Sequence, residues 1–314
     1  MNYKSLYKSL YKFLILFISL LFYSTVNASS ELIPQSVTAG TVQPRVALVL
    51  GGGGARGAAH LGVLSVLQQA GVPIDLIVGT SIGSMVGALY ADDPNADSVS
   101  QILFTTHKNQ LLNFNLLNIY HGPFSSDGIE NYVSKEVHAK QFSDLKIKFI
   151  AVATDSDTGA TVPLYSGQIN DAVAASMALP PFFPSLNMDG KSLIDGGMSD
   201  PVPVDIAKLY HPKIIIAVSI AESVPAVTNN ISAMDNYKRA ELIQRENFDK
   251  KSAHGADVFI HPDVGQTGVF DDSHEYMLAQ NGAKAAEQAL PQICALLKAN
   301  HIQSHCDAVL SKMN

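Results

Sequence analysis

The chain has 314 residues, 47% of them hydrophobic and 16% charged, enough apolar material for one large domain or two small ones. A net charge of −7 and a pI of about 5.8 argue against a nucleic-acid partner.

Taken in chain order, the first feature is an export pattern. Lys4, Lys8 and Lys12 precede FLILFISLLFY, and STVNASS follows, with Val26 and Ala28 at the small-residue positions of a cleavage site. These are the three regions of a secretory signal peptide, expected over residues 1–28. The apolar run is short for a ~30 Å bilayer core, which argues against a membrane anchor. A periplasmic or secreted product is expected. Residues 29–44, rich in Ser, Thr, Pro and Gln, read as a flexible lead-in.

One α/β domain is expected over 45–299. RVALVL (45–50) reads as a buried strand, 57–70 as a helix closed by Gly71, PIDLIVG (73–79) as a second strand and 81–91 as a second helix. This alternation predicts a mostly parallel central sheet covered by helices on both faces, a three-layer sandwich. Residues 74–91 are nearly uncharged, but Asp75, the Gly-Thr-Ser turn and Pro94 argue against a membrane span there. Residues 97–145 read as mainly helical. Residues 146–155 read as a strand with a hairpin partner in ATVPLYSG, and 169–183 as a helix stopped by Pro180 and Pro181. SLIDGG (192–197) reads as a short strand entering a tight turn, and PVDIAKLY as the start of a helix. KIIIAVSI (213–220) and ADVFIHP (256–262) read as strands, and 273–299 as a helix. The polar stretch 221–255 reads as a mobile excursion, and 300–314 as a C-terminal tail. Cys294 and Cys306 could pair in an oxidising compartment.

Two turns carry the chemistry. GGGARG (52–57) matches the dinucleotide-binding pattern G-x-G-x-x-G between a strand and a helix. The ribose-binding acid should then close the second strand, whereas Asp75 sits near its start. A P-loop needs Gly-Lys-Ser/Thr, and Ala58 and Ala59 stand there instead. Gly79-Thr80-Ser81-Ile82-Gly83 is G-x-S-x-G at a strand-to-helix junction, a tight turn that lifts a serine hydroxyl clear of the sheet. Adjacent parallel strands would end on one edge, so the glycine loop would face Ser81. The N–H groups of Gly52, Gly53 and Gly54 would then form an oxyanion hole, with the charge of Arg56 beside it.

A serine nucleophile needs a base. His254, His261 and His274 follow Ser81 in the order of an ordinary α/β hydrolase. Asp195 is the better candidate, because it ends an apolar strand and Gly196 and Gly197 follow at once. A plain Asp-Gly turn is the other reading of the same residues.

In this order GGGARG, GTSIG and DGGMSDPVPV resemble the patatin-like phospholipases, and ASMALPPFFP (175–184) and ADVFIHPDVG (256–265) resemble segments of bacterial, secreted members. The resemblance covers about residues 45–290. It implies a Ser–Asp dyad without a catalytic histidine: Ser81 as nucleophile, Asp195 as base, Gly52, Gly53 and Gly54 with Arg56 at the oxyanion hole, and Gly57, Gly79, Gly83, Gly196 and Gly197 as motif glycines. It implies acyl-ester hydrolysis of phospholipids or lysophospholipids with no metal or cofactor; the acidic net charge makes transient membrane contact the expectation. A non-catalytic lipid- or nucleotide-binding module on the same scaffold is the alternative. LLNFNLLNIYHGPF (111–124) reads as ordinary core, with a surface for acyl chains as the other reading.

Overall fold

The computed structural model describes residues 42–106, 108–114, 122–224 and 232–313. The expected signal peptide and most of the lead-in lie outside the described residues. The elements, in chain order, are β1 (Val46–Leu50), α1 (Ala58–Gln69), β2 (Ile74–Thr80), α2 (Ile82–Asp92), α3 (Ala96–Phe104), α4 (Lys108–Leu111), β3 (Asn113–Phe114), β4 (Phe124–Ser125) and α5 (Asp127–Glu136). Then follow β5 (Lys148–Asp155), β6 (Thr161–Leu164), α6 (Ile169–Ser176), β7 (Leu186–Met188), β8 (Lys191–Asp195), α7 (Val204–Lys208), β9 (Ile214–Val218), α8 (Ala233–Ser252), β10 (Val258–Ile260), α9 (Glu275–Ala299) and α10 (Cys306–Met313).

The main sheet runs β10-β9-β1-β2-β5-β8-β7, with β6 also on β5. The strands from β10 to β5 are parallel, and β6, β7 and β8 are antiparallel additions. Every residue of β1 is buried, as a central parallel strand requires. Alternate residues of that strand serve opposite layers. Val46, Leu48 and Leu50 pack under a large apolar cluster with α1, α2 and α9. Ala47 and Val49 pack with Leu76, Val78, Ile150 and the α7 residues Val204 and Ile206. The expected three-layer α/β sandwich is thus the observed architecture.

The pairing on β5 positions the site. Residues 148–152 of β5 pair with β2, and 153–155 pair with β8. β6 pairs with 151–154, overlapping both. A strand has two edges, so β2 and β8 must share the edge opposite β6. They run toward each other along it: Thr80 faces Val152, and Asp195 faces the next residue, Ala153.

The tail expected over 300–314 carries the helix α10, and two further segments differ from the sequence expectation. The helix expected over 169–183 ends at Ser176. Pro180 has no N–H to donate, and its ring would meet the carbonyl of residue 176 in a continuing helix, so the helix stops a full turn before it. The excursion expected over 221–255 is largely the twenty-residue α8, opened by a Ser232–Asp235 capping box and carrying a Lys250–Glu246 ion pair. Its side chains lie mostly in solvent and only Asp249 is buried, which explains the polar composition. Residues 225–231 lie outside the described residues. Cys294 and Cys306 form a disulfide between α9 and α10. Among the described residues no helix is long and apolar enough to cross a membrane.

Candidate active site

β1 and β2 are parallel neighbours, so the turns that follow them meet at one edge of the sheet. Three N–H groups of the first turn are claimed by backbone carbonyls: Gly51 donates to Val218 O (2.9 Å), Gly52 to Pro201 O (3.1 Å) and Ala55 to Val269 O (2.9 Å). Between them, the N–H groups of Gly53 and Gly54 have no protein acceptor among the described residues. The expectation that three glycine amides are available therefore narrows to two. Gly52 matters sterically instead, since a Cβ there would lie 3.2 Å from Ser81 Cβ. Gly54 has φ +60°, and a Cβ on it would lie 2.3 Å from Val269 O.

Arg56 does not present its charge to the turn's open side. It is buried, donating from Nε to Gly53 O (2.9 Å) and from Nη1 to Glu222 Oε1 (2.8 Å). Burial lowers its pKa and Glu222 pulls it back. In a trans peptide the carbonyl and the following N–H point opposite ways. The bond to Gly53 O therefore turns the Gly54 N–H away from the guanidinium. His60 holds the same turn from below, with Nε2 2.9 Å from Gly51 O. A carbonyl only accepts, so Nε2 carries the hydrogen. Burial pushes the His60 pKa down to about 4, and the ring is neutral.

Ser81 occupies the second turn with φ 54° and ψ −125°, a conformation that costs a non-glycine residue on the order of 1–3 kcal/mol. Its neighbours hold it there. Ser81 N–H donates to Ser176 Oγ (2.9 Å), and Ser84 Oγ donates to Ser81 O (2.6 Å). Just before it, Thr80 Oγ1 donates to Asp200 O (2.8 Å). The flanking positions tolerate no side chain: a Cβ on Gly79 would lie 2.4 Å from Gly83 O, one on Gly83 2.2 Å from Leu50 O, and one on Gly57 2.3 Å from Ile82.

Asp195 arrives at the end of β8. Ser81 Oγ donates to Asp195 Oδ2 at 2.6 Å, and Gly197 N–H donates to Oδ1 at 2.7 Å. Gly196 lets the chain turn against β5, since a Cβ there would lie 2.1 Å from Val152 O. The carboxyl is buried, and this desolvation raises its pKa to about 6, although the bonds from Ser81 and Gly197 pull it down. A carboxylate of that pKa, bonded to a hydroxyl, can accept the hydroxyl's proton near neutral pH.

No imidazole bonds Ser81 or Asp195 among the described residues. His261 sits by Ser219 O and Ser223, His274 by Ser273 and Asp271, and His254 is exposed. Several site-building residues escaped the sequence reading: His60, Ser84, Ser176 and Glu222. The only trace of Ser176 is a polar residue at the end of the apolar run AVAAS; that of Glu222 is an acid just past a buried strand.

Beside Ser81 lies an apolar cavity. Its walls include Gly54, Ile82, Met85, Phe104, Met177, Phe183 and Phe270. Leu111 and Leu112 line it, which makes that end of the 111–124 stretch cavity wall. Phe114 is 60% exposed, in edge contact with Phe124, which in turn packs near Phe183 and Phe270. Residues 115–121, with Leu116 and Ile119, lie outside the described residues.

Comparisons with known proteins bear on the family and the fold. Over 181 residues the chain is 38% identical to patatin-like phospholipase domain-containing protein 6 of Homo sapiens, an alignment spanning 56% of this chain and 13% of that protein. Over 191 residues it is 37% identical to lysophospholipase nte1 of Aspergillus fumigatus, spanning 58% of this chain and 12% of that one. The matched region is thus about an eighth of each relative's length. Among solved structures, VipD from Legionella pneumophila aligns with a TM-score of 0.53 at 14% identity, covering 82% of this chain and 67% of VipD, a likeness of fold. The family model for patatin-like phospholipase matches residues 48–208, a span that includes the glycine turn, Ser81 and Asp195, and the chain belongs to that family.

Proposed function

We propose that this protein is a serine acyl hydrolase that cleaves fatty-acyl esters of phospholipids or lysophospholipids through a Ser81–Asp195 dyad. The observation that carries the proposal is the 2.6 Å hydrogen bond from Ser81 Oγ to the buried carboxylate, with no histidine bonded to either group among the described residues. Asp195 takes the Ser81 proton as Oγ attacks the ester carbonyl. The carbonyl oxygen becomes an oxyanion, and the Gly53 and Gly54 amides stabilise it; a single such donor is worth ~3–4 kcal/mol in the transition state. Arg56 orients the Gly53–Gly54 peptide through Gly53 O. Asp195 then returns the proton to the departing alcohol. In the second half, Asp195 deprotonates water, which attacks the acyl-enzyme and releases the fatty acid with Ser81 reprotonated.

The substrate class rests on the names of the relatives and on the cavity. Its walls beside Ser81 are mostly aliphatic and aromatic, with Thr106, Asp272 and Glu275 also on the lining, and suit an acyl chain. Phe114 and Tyr276 are exposed, at 60% and 72%, and Tyr276 stacks on the cavity residue Phe104. They supply apolar contact for a brief stay at a lipid surface, since a net charge of −7 gives no attraction to anionic lipids. The N-terminal pattern supports export, and the Cys294–Cys306 disulfide supports an oxidising compartment.

A fluorophosphonate probe followed by peptide mapping tests the core of this reading. Label on Ser81 is expected, and an unlabelled protein would favour a binding module. Product analysis on phospholipids, lysophospholipids and triacylglycerols, with Ser81→Ala as control, sets the substrate class. Phe114→Asp should slow turnover on vesicles and leave a soluble short-chain ester untouched.

A further inference from the structure

Both dyad residues are tied to one three-residue stretch at the end of α6. Ser81 N–H donates to Ser176 Oγ at 2.9 Å. Asp195 N–H donates to Ala178 O at 3.0 Å. Ser176 is itself pinned, because its hydroxyl donates to Val152 O at 2.6 Å and the side chain is wholly inaccessible to solvent. Val152 belongs to β5, at the position where β2 ends and one residue before β8 begins to pair.

The chemistry of this link is specific. The nucleophile's backbone N–H needs an acceptor, and β5 presents the Val152 carbonyl, which is also an acceptor. Only a group that accepts on one side and donates on the other can join them. A hydroxyl does both. Alanine does neither, and would leave the Ser81 N–H without this acceptor and the Val152 carbonyl without this donor. The Ser81 backbone is held in a sparsely populated conformation, which persists only where its surroundings over-determine it. The Ser176 bond is one of the few contacts that do so.

We propose that Ser176–Ala178 acts as a splint that sets the spacing of Ser81 and Asp195, with Ser176 as a positioning residue for the reaction. The splint rests on the Ser–Asp reading of the site given above. Ser176 is wholly buried and bonds Ser81 and Val152, so it acts on the alignment of the Ser81 hydroxyl from behind.

The test is active-site titration of the full chain with a fluorophosphonate, alongside kcat and KM on a soluble short-chain ester, for the wild type, Ser176→Ala and Ser176→Cys. In Ser176→Ala every folded molecule should label on Ser81, but the labelling rate and kcat should both fall roughly 10–100-fold, the cost of a small misplacement of a reacting group. KM should stay put. Ser176→Cys, with a weak donor and acceptor of similar size, should fall between the two. Should the alanine variant not fold, the cysteine variant carries the same comparison. Labelling at the wild-type rate, whether of all molecules or of a reduced fraction, overturns the splint and leaves Ser176 a structural residue. A wild-type label on a serine other than Ser81 overturns the hydrolase reading and the splint with it.

Discussion

The turns that leave β1 and β2 face each other, yet they are built by opposite means. The first presents backbone. Its glycines remove side chains from the open side, and buried side chains behind it, Arg56 and His60, hold its carbonyls. The second presents a side chain, Ser81, and the side chains of Ser176 and Ser84 hold its backbone. Each turn thus spends one kind of group on display and the other on support. A glycine loop cannot lock itself, because glycine has no side chain to pack and is the least restricted of residues. A serine at positive φ is strained, so its backbone needs fixing from outside.

Substitutions on the display side should have the largest effects. Ser81→Ala and Asp195→Asn are each expected to lower ester hydrolysis by at least roughly 10⁴-fold while leaving the fold intact. Near-normal turnover by Asp195→Asn, measured with a chromogenic ester, would put the proton-accepting role elsewhere. Next comes Gly54→Ala. Its Cβ would meet Val269 O at 2.3 Å in a backbone at φ +60°, so the amide must move. A loss of roughly 10²–10³-fold in kcat is expected, as for a missing oxyanion donor.

The support side should show mixed effects. Arg56→Met leaves Glu222 and Asp249 without their buried cation, so both stability and kcat should fall; breaking such pairs costs about 3–5 kcal/mol. Arg56→Lys keeps the charge but lacks the fork that reaches Gly53 O and Glu222 together. It should recover stability, read by denaturant titration, more than it recovers kcat. Equal recovery of both would erase the distinction between display and support.

Titration separates the two turns more gently. The Asp195 pKa is raised from 3.8 to about 6 by burial, so activity should fall as pH drops through about 6, where the base takes up a proton. The stability sign follows from the same shift. The folded state holds this proton more tightly than the unfolded chain, so the contribution is full below pH 3.8 and is lost as pH rises through 6. His60 runs the other way, with stability present above pH 6.5 and lost as pH falls through 4. The two have opposite signs between about pH 4 and pH 6. Asp195→Asn removes one of them, and should melt higher than the wild type at pH 8, by about 3 kcal/mol of stability, with the gain vanishing below pH 4. The smallest effect on catalysis is expected for Cys306→Ser, which opens the α9–α10 link: kcat unchanged, Tm lowered.

Much of the sheet was legible because its strands are buried on both faces and read as β-branched runs, as in VALVL and IIIAV. The helix α8 was not, because a helix almost entirely in solvent has no apolar stripe to betray it. Its Ser232–Asp235 cap was the available signal. The end of α6 was misjudged because a proline acts a full turn upstream of itself through the carbonyl it would strike.

Sequence alone determined the fold class, the family and the two turns with their order, because a glycine loop and a G-x-S-x-G turn are local steric solutions written in contiguous residues. Tertiary structure decided which groups meet. That β2 and β8 share one edge of β5, that the Gly52 amide bonds Pro201, that Arg56 faces inward and that the Ser81 N–H bonds Ser176 all depend on atoms far apart in the chain. Hydrogen bonds between distant residues are set by strand register, and register is a property of the packed sheet.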